Sequence, residues 1–153
     1  LSRVDNTAIH RMVENCRAGT HPALVARLPS GWLVLGERQV FHGYCLLLPD
    51  PVVPHLNALT GAARLRFLED MARAGDAILE VTAALRINYA MFGNVEPALH
   101  AHLFPRQADE PEAVRTAQPF ALDWSQAPAY TDERHADLKR RIAAALGLEA
   151  QLG

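Results

Sequence analysis

The stretch from 61 to 86 limits the fold of this chain more than any other feature. Leu65, Leu68, Ala72, Ile78, Leu79, Val81 and Leu85 recur through it at helical spacing, and Thr60 stands where a cap is needed. It reads as one long amphipathic helix, whose apolar stripe must be buried against another layer. Gly75 in its middle costs about 1 kcal/mol relative to Ala, so a glycine there points to close packing. Upstream, Pro49, Pro51 and Pro54 break regular structure, because each lacks an N–H and fixes its own φ.

Three short apolar runs precede this helix, at 23–28, 32–35 and 44–48, and two follow it, at 87–92 and 99–104. Pro29, Ser30 and Gly31 form a turn that joins the first two runs as a hairpin, and the turn-rich 93–97 joins the last two. An N-terminal helix is expected over 5–17 from the spacing of Ile9, Met12, Val13 and Cys16, with Asp5 or Asn6 as its cap and Gly19 as its stop. After Pro105 the chain turns polar and irregular until a C-terminal helical extension over 131–150. The expected fold is α+β, a five-stranded antiparallel sheet with flanking helices gathered on one face. At 153 residues one domain is expected, with its core over 20–110.

Composition narrows the function classes. Half the residues are apolar and 21% are charged, which is ordinary for a globular chain. With 15 basic and 17 acidic residues the net charge is −2, so the broad basic field needed to grip a long nucleic acid is missing. A local anion site remains open, because a few backbone N–H groups and one or two side chains can hold a phosphate. No apolar run approaches the roughly 18 residues needed to span a bilayer. The first residues lack the basic-then-apolar layout of a signal peptide, and the cytoplasm is the expected location. Cys16 and Cys45 stand in no metal-binding or redox spacing and read as small, reduced core residues.

The run from 88 to 106 carries the chemistry. In a strand, side chains alternate between faces, so His100 and His102 share one face while Leu99, Ala101 and Leu103 share the other. Two imidazoles over an apolar face are what a sheet-borne site requires, although half-buried histidines also occur for packing alone. A zinc site is the rival reading, with His42 or His55 as a third ligand.

Read as a whole, this stretch resembles the signature of the histidine triad superfamily, in which three histidines alternate with apolar residues and are followed by two apolar residues, proline and arginine. Pro105 and Arg106 set the register: His102 matches the third histidine, His100 the middle one, and Ala98 stands in place of the first. Asn88 and Tyr89, Gly93 and Asn94, and Pro97 look like a bacterial branch described as diadenosine tetraphosphate hydrolase-like. The resemblance extends weakly to Trp32 and to the run from His42 to Pro49.

This resemblance implies a reaction. The middle histidine attacks the α-phosphate of a purine nucleotide, and water then resolves the nucleotidyl-imidazole. His100 is accordingly the expected nucleophile, and His102 the expected phosphate contact or proton donor. Asn94, Asn88 and Glu37 are the expected substrate-binding residues, Glu37 for the ribose. Dinucleoside polyphosphates and nucleoside phosphoramidates are the implied substrates. No organic cofactor is implied, although a divalent ion such as Mg²⁺ is compatible, and two copies are expected to join into a homodimer through the long helix and an edge strand. Ala98 removes whatever hydrogen bond the first histidine supplies. A nucleotide-binding module with a decayed triad and a ligand-free structural dimer therefore stand as alternatives.

Outside this run, the acidic cluster Asp109, Glu110 and Glu112 is expected to be a solvated loop, and Lys139 to lie on a surface helix face. Arg106 is expected to meet a nearby carboxylate at the strand's end.

Overall fold

Five short apolar strands form a single antiparallel sheet in the order β1-β2-β3-β5-β4, comprising β1 (Leu24–Leu28), β2 (Gly31–Leu35), β3 (Cys45–Pro49), β4 (Arg86–Ala90) and β5 (Ala101–Arg106). The computed structural model describes residues 6–148; Asp5, one of the two expected caps of the first helix, and 149–150 of the C-terminal extension lie outside the described residues. The hairpin pairs Leu28 with Gly31, and Gly31 sits so close to the Leu48 carbonyl of β3 that a Cβ would overlap it. β5 is an inner strand: Leu46 of β3 lies opposite His102 on one side, and Ala90 of the edge strand β4 lies opposite it on the other.

The helices are α1 (Ala8–Ala18), α2 (Gly61–Thr82), the single turn α3 (Glu112–Arg115) and α4 (Asp132–Ala145). They cover both faces of the sheet, not one. Val25, Ala26, Leu33, Leu47, Ala101 and Leu103 meet Phe67, Ile78 and Ile142 of α2 and α4. On the opposite face Val34, Leu46, Leu48 and Phe104 meet Ile9, Val13 and Cys16 of α1. A β-bulge at the start of β1 serves both layers, because it sends Leu24 to the α1 side and the next two residues to the other. A helix on either side explains why β3 is buried along its whole length.

The long helix is shorter and differently phased than expected. It stops at Thr82, where Ala83 takes a left-handed conformation at φ 55°, and the chain turns into β4 at Arg86. Its buried side is Phe67, Asp70, Ala74, Gly75, Ala77 and Ile78, whereas Leu65 is 68% exposed, Leu85 is 61% exposed and Ala72 is also exposed. Counting large aliphatics misplaced the stripe, because two alanines, a glycine and an aspartate occupy its middle. Asp70 is tolerated there since its carboxylate accepts the Ser30 N–H at 2.7 Å and faces Arg73 at 3.7 Å. Gly75 receives the Tyr89 hydroxyl of β4, which a Cβ would displace.

At α1 the cap is Thr7, whose hydroxyl accepts from the His10 N–H while the His10 ring accepts from the Thr7 N–H; Gly19 ends the helix at φ 72°. Lys139 is not on an open helix face. It is 1% exposed, donates to the Pro22 carbonyl at 2.7 Å and lies over the Tyr130 ring, tying α4 to the start of β1. Both cysteines are buried free thiols, and burial raises the pKa of each, that of Cys16 to about 12.

Candidate active site

β5 alternates in the manner its sequence predicts. Leu99, Ala101 and Leu103 join the α2–α4 side, and His100 and His102 face the other way with ring centroids 4.9 Å apart. Strand pairing begins only at Ala101, so His100 sits on the irregular approach to β5, where the Leu99 N–H is held by the Val53 carbonyl at 2.8 Å.

The ring of His100 is fixed by its own backbone. Its Nδ1 lies 2.7 Å from the carbonyl oxygen of Ala98, which can only accept, so Nδ1 carries the proton and the Nε2 lone pair is free in the neutral ring. The Ala98 peptide carbonyl therefore orients the His100 ring. His100 opens onto a cavity of about 320 Å³ lined by Pro54, His55, Asn57, Phe92, Gly93 and Ala98.

His102 is held by Tyr44, whose hydroxyl is 2.7 Å from its Nδ1. Tyr44 stands just before β3 and reaches the site because Gly36, on the neighbouring connection, leaves room for its ring. Burial raises the Tyr44 pKa, keeping the phenol protonated. A phenol that donates to Nδ1 places the His102 proton on Nε2, and one that accepts from it leaves the lone pair there. Burial above all, and then the neighbouring His100, pushes the His102 pKa down to about 4, so the ring is neutral at pH 7. Tyr44 was missed as a site residue. Its signal was its place within the run from His42 to Pro49, the same run that carries the resemblance.

The segment after β5 was opaque in sequence and is built around Arg106. The buried guanidinium donates to Glu110 at 2.8 Å, to Asn88 Oδ1 at 2.8 Å and to the Val114 carbonyl at 2.8 Å, and lies over Phe41. The expected carboxylate partner is present, and Glu110 is not a solvated loop residue: its carboxylate is nearly buried and is held below its ordinary pKa by Arg106 and the Gln107 N–H against the cost of burial. This anchor folds 107–126 back over the site face. Phe120 meets His102 edge-on at 4.9 Å and stacks on Trp124 at 5.2 Å.

The other expected ligand-binding residues are dispersed. Asn88 lies on the His102 side of β4 but is engaged with Arg106. Asn94 is exposed in the loop before His100. Glu37 is also exposed, and its charge acts on His21. His42 stands 6.3 Å from His135, which is not the triad site, and only His55 shares a cavity with His100. Among the described residues no three His, Cys, Asp or Glu side chains are placed to hold a metal ion. No helix among them is long and apolar enough to cross a membrane.

No family model matches the chain, and no curated protein matches it in sequence. Solved structures do match. A histidine triad protein from Bradyrhizobium japonicum superposes with a TM-score of 0.71, over 80% of this chain and 89% of its own, at 18% identity. One from Marinobacter aquaeolei gives a TM-score of 0.70 over 81% and 88%, also at 18% identity. A hypothetical histidine triad nucleotide-binding protein from Sulfolobus tokodaii gives 0.70 over 90% and 91%, at 13% identity. The chain has the fold of the histidine triad proteins.

Proposed function

We propose that this protein is a nucleotide phosphohydrolase or nucleotidyl transferase that uses His100 as its nucleophile. The observation that carries the reading is the hydrogen bond from His100 Nδ1 to the Ala98 carbonyl, which makes Nε2 the lone-pair nitrogen of the neutral ring, on a residue that lines a cavity. Similarity to a nucleotide-binding histidine triad fold supports the ligand class.

The chemistry follows from the two rings. His100 Nε2 gives its lone pair to the α-phosphorus of a bound nucleotide, and the bond from phosphorus to the leaving group breaks as the P–N bond forms. His102 offers its Nε2–H to a phosphoryl oxygen, with Tyr44 holding the ring in that tautomer. Water then attacks phosphorus, releasing the nucleoside monophosphate and restoring His100. A neutral His102 suits hydrogen bonding better than proton donation at pH 7. No step requires a cofactor; a divalent ion such as Mg²⁺ would serve only to neutralise a polyphosphate. We further propose a homodimer, formed along the edge strand β4 and α2, where Leu65, Leu85 and Tyr89 are exposed.

The test incubates purified protein with diadenosine tetraphosphate or an adenosine phosphoramidate, with and without Mg²⁺, beside a His100→Asn control. The expected result is AMP release by the native protein, lost by at least about a thousandfold in the variant, the usual scale for removing a nucleophile. Full activity in His100→Asn would refute the assignment. Nucleotide binding at micromolar level without turnover would mean that the pocket outlived its chemistry.

A further inference from the structure

Nine residues, 36–44, connect β2 to β3, and the last of them is Tyr44, whose hydroxyl reaches His102. Connections of that length are commonly mobile and variable in shape. This one is closed from within by a single buried side chain, Gln39, which is 4% exposed. Its Nε2 donates to the Gly36 carbonyl and to the Tyr44 carbonyl, each at 2.9 Å, and its Oε1 accepts from the Gly43 N–H at 2.9 Å. The two carbonyls can only accept and the N–H can only donate, so the amide has one orientation.

Gln39 thus joins the first residue of the connection to the last. The Tyr44 carbonyl takes a second bond from the Gly36 N–H at 2.9 Å, so two donors fix the same oxygen. From outside, the connection is braced by the chain returning from the site. The Gln39 N–H donates to the Pro128 carbonyl at 2.8 Å, and the Tyr130 N–H donates to the Glu37 carbonyl at 2.7 Å. At the other end of Tyr44 the ring is stacked on Phe104 at 4.6 Å, with its hydroxyl 2.7 Å from His102 Nδ1. An apolar side chain at 39 would fill the same volume and make no demand on its neighbours. A buried amide is costly unless it is met on each side, and here the groups that meet it are those that place Tyr44.

We propose that Gln39 is a positioning residue for the reaction: by tying together both ends of the 36–44 connection, it sets the Tyr44 phenol against His102 and so fixes the His102 ring. The proposal rests on the reading of His100 and His102 as the reacting pair. Gln39 hydrogen-bonds to neither imidazole, and its effect on the chemistry runs through the Tyr44 hydroxyl alone. A displaced phenol leaves the His102 ring free to turn, which costs rate and leaves substrate affinity nearly as it was.

Two measurements test this. The first compares native protein with Gln39→Met, Tyr44→Phe and the double variant, with diadenosine tetraphosphate as substrate. Gln39→Met is expected to lower kcat about tenfold with KM held within about twofold. Once Tyr44 is replaced by Phe, the same substitution is expected to lower kcat by less than about twofold, because the hydroxyl it places is gone. An equal fall in both backgrounds, the mark of a general loosening of the loop, overturns the proposal. The second measurement needs no turnover. The ring nitrogens of His102 are followed by nitrogen NMR in histidine-labelled protein and assigned by their loss in His102→Gln. In Gln39→Met both signals are expected to move to the positions they take in Tyr44→Phe; signals that stay at their native positions overturn the proposal. Gln39→Glu keeps the volume and the Gly43 contact but sets a carboxylate oxygen against the two carbonyls. It is expected to move the same signals, and it decides the question if the methionine variant does not fold. Shifted His102 signals in a protein without turnover would uphold the positioning and refute the nucleophile, so the two readings fail separately.

Discussion

Acidification is expected to unfold this protein partly through His102. The ring is half-buried, hydrogen-bonded to Tyr44 and flanked by Phe104 and Phe120, and these surroundings hold its pKa near 4 in place of the usual 6.5. Between those two values the unfolded chain binds a proton that the folded chain refuses, so stability is intact above pH 6.5 and falls as the pH drops toward 4. Two and a half pH units at about 1.4 kcal/mol each set a ceiling of about 3.5 kcal/mol; the solvent still reaching the ring brings it to about 2 kcal/mol. The assay is urea unfolding of the native protein and of His102→Gln at pH 7 and at pH 4.5. Burial also lowers the pKa of His21 and His135, but both proteins share those groups, so the comparison cancels them. The native midpoint should drop by about 1 M more than that of the variant, for a typical slope of about 2 kcal/mol per molar urea. Equal losses in both proteins would refute the reasoning, because His102 would then titrate alike folded and unfolded.

Gly75→Ala should destabilise by about 1 kcal/mol, since the clash with the Tyr89 hydroxyl outweighs the helical gain; Gly75→Ala/Tyr89→Phe, which removes that hydroxyl, should exceed the native thermal midpoint. Gly36→Ala should push the Tyr44 ring away from His102, lowering kcat by about tenfold with little change in KM for the nucleotide substrate. Arg106→Lys should cost about 2–3 kcal/mol in urea unfolding, because an ammonium cannot serve Asn88, Glu110 and the Val114 carbonyl from one fork, and limited proteolysis should cut first within 107–120.

Local signals were readable in the sequence wherever one element sufficed to define them. The five strands, the hairpin turn and the glycine that ends α1 each declare themselves through alternation or turn chemistry, and the alternation of β5 alone was enough to pair His100 with His102. What stayed hidden depends on partners distant in sequence. The burial of Asp70 requires Ser30, that of Lys139 requires Pro22, and the fold of 107–126 requires Arg106 to gather carbonyls that no pattern marks. Tyr44 belongs to the same class: its hydroxyl matters only because β3 pairs with β5 and Gly36 yields space beside it. The two-sided helical cover was missed because an amphipathic helix does not say which face of a sheet it will choose.

Ala98 has no exposed surface and lies in the apolar cluster beneath α1, with Ile9, Val13 and Phe104 in the same cluster. The same residue lines the cavity onto which His100 opens. The N-terminus of α1 is also pinned close by, where the Ala8 N–H reaches the Glu96 carboxylate at 3.0 Å. Ala98 thus serves two sides at once: its side chain closes the apolar layer beneath α1, and its carbonyl sets the ring of the histidine two residues on.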